Sequence, residues 1–474
     1  MFSLNQYVSI VTYKVEIPTS DIMEFEIQNK LKFVYQDENG YGFEKGCLYS
    51  ALARRKGKNK QGPIKIFEKN NTSAYFRQSK NNILYLTVRK KNLTDKTIEQ
   101  IKLDFAYYLS KIMPKKKIVL LYEKESSRYE ESASVLYEKL IDDGYKDAYF
   151  ILDKNYSHFH EIANKYRTNI LYKGSFKHYL YFFMSKTFLG SEALVHAIDL
   201  RISNKHALNK INDKSLNYVF LQHGVMYMVS LDSESRSFFK PMKTEGKYRV
   251  VTSSVEEARH FIELGGYDPE TIYVCGLPKF DRNTLNEDAD KIVVMPTWRP
   301  WEYNEARYDF TQTKYYQMLV RIVDAIPEKF KDKLIVLPHP LFFDAIKDTE
   351  FELKQYLNVT DKYDDILKDT RILITDYSSI AYDAFYRGCN VIFYWEEKDE
   401  SMANYGPTTK LMLNEENVYG DICMNPYQLS KAIDINYFHG QDEVYQKRYS
   451  KLVDFHDGKN TERLITLLRK DEII

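Results

Sequence analysis

The stretch ILITDYSSIAYDAFYRG, residues 372–388, passes from an apolar segment into a helix-compatible one through a knot of polar residues. Ile372, Leu373 and Ile374 are the side chains of a buried strand. Thr375, Asp376, Tyr377, Ser378 and Ser379 interrupt that run, and Gly388 closes the helix-compatible segment in the manner of a C-cap. A helix N-terminus leaves N–H groups unpaired and carries a partial positive charge. Hydroxyls gathered there either cap the helix or join the amides in holding an anion such as phosphate. The stretch alone leaves both uses open.

Working outward, the same texture recurs on both sides. KIVLLY, DAYFILD, TNILYKG, KTFLGSE, NYVFLQHG and YRVVTSS form one series of short apolar runs from residue 117 onward. KIVVMPTW, KLIVLPHP, RILITDYSS and NVIFYW form a second. Helical patterns such as ESASVLYEKLIDDG lie between them. Buried strands alternating with amphipathic helices predict parallel sheets covered on both faces. Two series in one chain predict two Rossmann-like halves, joined near NEDAD at residues 286–290. Residues 1–93 differ. KLKFVYQ, TSAYFRQ and NILYLTVRK are strand-like and punctuated by turn signals such as Glu38-Asn39-Gly40. The expected division is a β-rich accessory domain at 1–93, a first Rossmann-like, acceptor-side domain at 94–285, and a second, donor-binding one at 286–474 with the C-terminal helices.

Bulk composition narrows the class. With 68 Lys plus Arg against 67 Asp plus Glu, the net charge of +1 excludes a globally basic nucleic-acid binder. The cysteines, Cys47, Cys275, Cys389 and Cys423, have no CxxC spacing, which argues against a zinc site or disulfide scaffold and fits a reducing cytoplasm. The start of the chain lacks the basic and apolar regions of a secretory signal, and no run approaches the ~20 apolar residues of a membrane span. The segment KTIEQIKLDFAYYLSKIM places Ile98, Ile101, Phe105, Tyr108 and Ile112 at helical spacing before PKKK. It reads as a helix packed between domains or as an interfacial helix with a basic end. His158 and His160 in SHFHE imitate a metal pair but lack a third ligand, so they read as surface.

Ligands of open α/β sheets bind outside the carboxyl ends of the strands. The unusual residues collect there. His223-Gly224 follow one strand, Thr297, Trp298 and Arg299 another, His339 a third, and TDYSS a fourth. A histidine there can act as a base near neutral pH, and an arginine offers a planar fork for phosphate. An interdomain salt bridge is the bland alternative for Arg299.

At these residues the chain resembles the CDP-glycerol glycerophosphotransferase family, the polymerases and primases of teichoic acids and related capsules. The resemblance is carried by LQHG, PTWR, HP, TDYSSIAYDAFYRGCNVIFY and NYGP, and covers residues 116 to 460. It implies a GT-B fold, two Rossmann-like domains facing a cleft. It also implies transfer of a polyol phosphate from a CDP-alditol to a hydroxyl of a cell-surface polymer or its lipid-linked precursor, with release of CMP. His223 then corresponds to the base that deprotonates the acceptor, with His339 the second catalytic candidate. Thr297, Arg299, His339, Thr375, Asp376, Ser378 and Ser379 correspond to the donor-binding set. The resemblance implies no cofactor, no metal, no nucleic acid, and a cytoplasmic site of action at the inner face of the plasma membrane. Family members continue His-Gly with Thr-Pro and a Lys, where this chain has HGVMYMVSLD. That difference leaves glycerol, ribitol or another alditol open. A nucleotide-sugar glycosyltransferase of the same architecture and an inactive polymer-binding assembly protein are the alternative readings.

Overall fold

The computed structural model describes residues 27–30, 32–36, 42–46, 66–69, 71–78, 84–199, 204–232, 246–297, 299–302, 305–306, 309–338, 342–343, 351–358 and 363–474. His339, Trp298, Cys47 and the turn at residues 38–40 lie outside these residues.

The chain divides into two units, one of residues 1–108 with 199–210, the other of residues 109–198 with 211–474. The first unit therefore runs past residue 93 and recruits a segment from within the expected second domain. Its strands are β1 (Ile27–Lys30), β2 (Lys32–Gln36), β3 (Gly42–Gly46), β4 (Ile66–Lys69), β5 (Thr72–Gln78) and β6 (Leu84–Lys90). They form an antiparallel sheet of order β1-β6-β5-β4 and a β2-β3 hairpin. Helix α1 (Thr97–Ile112) comes next in the chain. The segment at 199–210 is tied in by polar contacts. Asn204 Nδ2 donates to Gln100 Oε1 at 3.1 Å and to Asp104 Oδ1 at 2.9 Å, and Asn92 Nδ2 to the Asp199 carbonyl at 2.7 Å.

The second unit holds both Rossmann-like halves. The first sheet comprises β7 (Val119–Tyr122), β8 (Ala148–Leu152), β9 (Ile170–Tyr172), β10 (Thr187–Gly190), β11 (Asn217–Phe220), β12 (Tyr248–Thr252) and β13 (Ile272–Val274). All pairs are parallel and the order is β13-β12-β11-β10-β7-β8-β9. The second comprises β14 (Lys291–Val294), β15 (Leu334–Val336), β16 (Thr370–Thr375), β17 (Asn390–Tyr394) and β18 (Asp421–Cys423), parallel, in the order β15-β14-β16-β17-β18. The strand order reverses between β7 and β10 in one sheet and between β14 and β16 in the other, and these switch points are where such folds bind ligands. β7, β10 and β17 are buried at every position, as apolar runs covered by helices on both faces must be.

Helices that matter below are α2 (Ser132–Asp142), α3 (Val255–Glu263), α4 (Lys314–Ala325), α5 (Ile380–Arg387) and α6 (Asn460–Lys470). One apolar cluster runs from Leu121 and Leu189 of the first sheet through Tyr382 and Phe385 of α5 to Phe393 of the second. The two halves thus share a core. α6, expected with the second half, returns to the first. Asn460 and Thr461 donate to the Asp281 carboxylate, and Asp471 just beyond the helix accepts from Arg249 at 2.9 Å. Gly388 stands at φ 109° after α5, a left-handed C-cap conformation that disfavours any side chain.

Candidate active site

The second half builds its part of the site on the ends of β14 and β16. Asp376 is buried directly after β16, and its Oδ1 accepts the N–H of Thr297 at 2.7 Å and of Tyr377 at 2.6 Å. Its carbonyl accepts Trp395 Nε1 at 3.0 Å. Arg299 lies beneath this turn with its side chain only 3% exposed. Nη1 is 3.5 Å from Asp376 Oδ2, and Nη2 donates to Glu397 Oε2 at 3.0 Å. The other oxygen of Glu397 accepts from Arg321 at 2.8 Å. Burial pushes the Asp376 carboxyl above its ordinary range, opposed by Arg299 and by the N–H donors of Thr297 and Tyr377. The guanidinium of Arg299 is therefore engaged within its own half, and it braces the TDYSS turn from below.

The hydroxyls on this turn divide into two groups. Thr375 Oγ1 donates to the Met295 carbonyl at 2.7 Å and ties the two strand ends together. Thr297 Oγ1 is buried and has no hydrogen-bond partner in the structure. Ser379 occupies the N-cap position of α5, yet its side chain makes no capping bond. Ser378 Oγ accepts only a long 3.5 Å contact from the N–H of Ile380. Ordinary capping thus leaves the Ser379 hydroxyl unexplained. It faces the other half instead, 3.2 Å from where a β-carbon on Gly224 would stand.

Gly224 and His223 lie just beyond β11. The residue before them, Gln222, is held at φ 58°, a conformation unfavourable for a side chain of this kind. Its amide is anchored on the Val251 carbonyl and on Glu257 Oε1 at 3.2 Å. Glu257, buried on α3, also accepts the N–H groups of Met226 and Ser253, each at 2.6 Å. This buried carboxylate fixes the turn that presents His223. The imidazole itself is 42% exposed, with Nδ1 3.8 Å from Glu192 Oε1. Its backbone carbonyl accepts Lys279 Nζ at 2.8 Å, and the same ammonium is 2.7 Å from Asp383 Oδ1 on α5.

In the segment after His-Gly, the side chains from Val225 to Leu231 are buried. The segment crosses to the second half. Val229 pairs with Leu411 in an antiparallel bridge, Met412 N–H donates to the Met228 carbonyl at 2.9 Å, and the Tyr382 hydroxyl to the Tyr227 carbonyl at 3.0 Å. VMYMVSLD is thus part of the seam between halves.

The structure brings His223, Thr297, Arg299, Thr375, Asp376, Ser378 and Ser379 to the facing strand ends of one unit. His339 comes after β15 but is outside the described residues. Sequence reasoning passes over Lys279, Glu192 and Glu257. Glu192 sits in KTFLGSE and is reachable by the strand-end rule; Lys279 lies beyond a strand of only three residues, and Glu257 lies within a helix.

A model of the CDP-Glycerol:Poly(glycerophosphate) glycerophosphotransferase family matches residues 105–470. The chain belongs to this family. Among curated relatives, the Minor teichoic acid biosynthesis protein GgaB of Bacillus subtilis (strain 168) is 26% identical over 377 residues, 74% of this chain and 39% of that protein. The chain therefore spans about two fifths of the length of that relative. Among solved structures, the wall teichoic acid polymerase TagF aligns with a TM-score of 0.53 at 16% identity, over 80% of this chain and 97% of that one. A TagF variant soaked with CDPG aligns with a TM-score of 0.51 at 16% identity, over 79% and 93%. At that identity the likeness to TagF is one of fold, and it agrees with the paired parallel sheets expected of this family. Among the described residues no group of His, Cys, Asp or Glu is placed to hold a metal ion.

Proposed function

We propose that the chain transfers glycerol phosphate from CDP-glycerol, or another alditol phosphate from its CDP ester, to a hydroxyl of a cell-surface polymer or its lipid-linked precursor. One observation carries this reading: Gly224, beside the imidazole of one half, meets the uncapped Ser379 hydroxyl at the helix N-terminus of the other. That pairing sets a proton acceptor against a place suited to phosphate oxygens. His223 takes the proton of the acceptor hydroxyl as its oxygen bonds to the donor's β-phosphorus. The bond from that phosphorus to the bridging oxygen breaks, and CMP leaves with the electron pair. Ser378, Ser379 and the first amides of α5 hold the diphosphate, while Asp376 and Arg299 keep their turn rigid. Attack at phosphorus asks the protein mainly for positioning and charge stabilisation. Family membership, GgaB's role in teichoic acid biosynthesis and the CDPG soak of TagF support CDP-glycerol as the donor.

The lipid-linked acceptor puts the chain at a membrane surface. Helix α1 exposes Ile98, Ile101, Tyr108 and Ile112 and is followed by exposed Lys115, Lys116 and Lys117, which supports peripheral contact with an anionic cytoplasmic leaflet. No helix among the described residues is long and apolar enough to cross a membrane.

A donor screen tests the reading. Purified chain is given CDP-glycerol, CDP-ribitol or UDP-sugars with an acceptor, and the released nucleotide is identified. CMP from a CDP-alditol is expected. UDP from a UDP-sugar places the chain among glycosyltransferases, and failure to bind any of these nucleotides makes it an assembly protein.

A further inference from the structure

Glu192 lies two residues beyond β10, the strand next to β11, so it leaves the sheet on the same edge as His223. Its carbonyl is held by two hydroxyls, Tyr122 of β7 at 3.1 Å and Tyr218 of β11 at 2.6 Å. Gly190 makes this possible, because a β-carbon there would collide with the Tyr122 ring. Two donors on one carbonyl satisfy both of its lone pairs and fix the direction in which the Glu192 side chain leaves the backbone. That side chain ends with Oε1 3.8 Å from His223 Nδ1.

We propose that Glu192 is the positioning residue of His223, selecting the tautomer and stabilising the imidazolium of the transfer step. The proposal rests on the reading of His223 as base. His223 Nδ1–H points at the Glu192 carboxylate, leaving Nε2 to accept the proton of the acceptor hydroxyl. The carboxylate keeps its charge throughout, and the proton passes from Nε2 to solvent after CMP departs. Distances of this kind shorten when substrate closes a site. Among the described residues, the charged groups around the pair are Glu123, Lys124, Glu125 and Arg128 from the loop after β7, Glu131 at the start of α2, and Lys279 at the His223 carbonyl with its partner Asp383. Burial, with Glu125 beside it, pushes the Glu192 carboxyl above its ordinary range, and Lys124 and Arg128 oppose that shift.

The test uses the full chain with Glu192→Gln, Glu192→Asp and His223→Ala. Glu192→Gln lowers kcat roughly 10–100-fold with the KM for CDP-glycerol unchanged, and Glu192→Asp restores part of it. The His223 pKa, read by NMR titration of labelled histidine and assigned by the signal lost in His223→Ala, falls by about one unit in Glu192→Gln. That readout needs no turnover, and Glu192→Asp, which keeps the charge, retains most of the wild-type value. An unmoved His223 pKa with wild-type kcat in Glu192→Gln overturns the proposal. Full activity of His223→Ala overturns the reading beneath it instead.

Discussion

Lys279 and Asp383 form an ion pair of 2.7 Å across the seam between the two Rossmann-like halves, and the same ammonium donates to the carbonyl of His223 at 2.8 Å. One cation therefore fixes the backbone of the proposed base and the helix whose N-terminus faces it. Asp383 is buried, its other neighbour being Asn283 Nδ2 at 3.3 Å. Lys279→Met strands that carboxylate, at a cost of about 1–3 kcal/mol in urea unfolding, and lowers turnover. Adding Asp383→Asn removes the stranded charge and returns most of the stability, but not the turnover, because the His223 carbonyl still lacks its donor. Equal recovery of both would make Lys279 a purely structural residue.

Gly224 and Ser379 yield a second expectation. A methyl group on Gly224 stands 3.2 Å from Ser379 Oγ, tighter than ordinary van der Waals contact. In Gly224→Ala the hydroxyl rotates away from the seam at little cost in stability, and the KM for donor rises severalfold. Ser379→Ala alone also weakens donor binding, by roughly 1 kcal/mol for a lost hydroxyl contact. The effects are non-additive, since the second change removes the atom that the first displaces. Additive KM effects in the double variant would place the donor elsewhere.

Arg299 separates support from ligation. Truncation to Ala leaves Asp376 buried with only its N–H donors and leaves Glu397 with Arg321 alone. Removing one member of a buried ion pair costs about 3–5 kcal/mol. Arg299→Ala therefore lowers Tm markedly, and CDP affinity falls as the turn loosens. An unchanged Tm with a large loss of CDP affinity would show that the fork reaches the diphosphate directly.

Most strands are legible as apolar runs because burial on both faces forces continuous hydrophobicity, and the joining of two series gives the two sheets. β13 and β18 are missed, β18 because its three residues, Asp421–Cys423, open on a charge and so make no apolar run. Lys279 is missed with β13, since a strand-end search never reaches its loop. The return of α6 to the first half is invisible because its amphipathic pattern names no partner. The same holds for Arg299. Its sequence context fits phosphate and ion pair equally, and only the positions of Asp376 and Glu397 decide what it touches. The meeting of Gly224 with Ser379 depends on how two sheets face each other, which no local pattern encodes.

Glu131 gives a pH signature. It stands at the start of α2 beside Glu123, whose two oxygens accept the N–H groups of Glu130, Glu131 and Ser134 at 2.7, 2.9 and 3.0 Å. Burial pushes the Glu123 carboxyl up and those donors oppose it, whereas Glu131 Oε2 is covered and has no donor. Burial first, and Glu123 second, push Glu131 up to about 8, so the native chain holds a proton there at neutral pH. The unfolded chain releases that proton near pH 4.5. Native protein thus binds more protons than unfolded protein between these values, and stability falls as pH rises through the interval. Glu131→Gln keeps the hydrogen-bearing shape without the ionisation. Its unfolding free energy matches that of the parent at pH 5 and exceeds it by ~1 kcal/mol or more at pH 8.5, in urea titrations at fixed ionic strength. Parallel pH curves for the two proteins would mean that Glu131 is already ionised in the native state and that Lys279 outweighs burial.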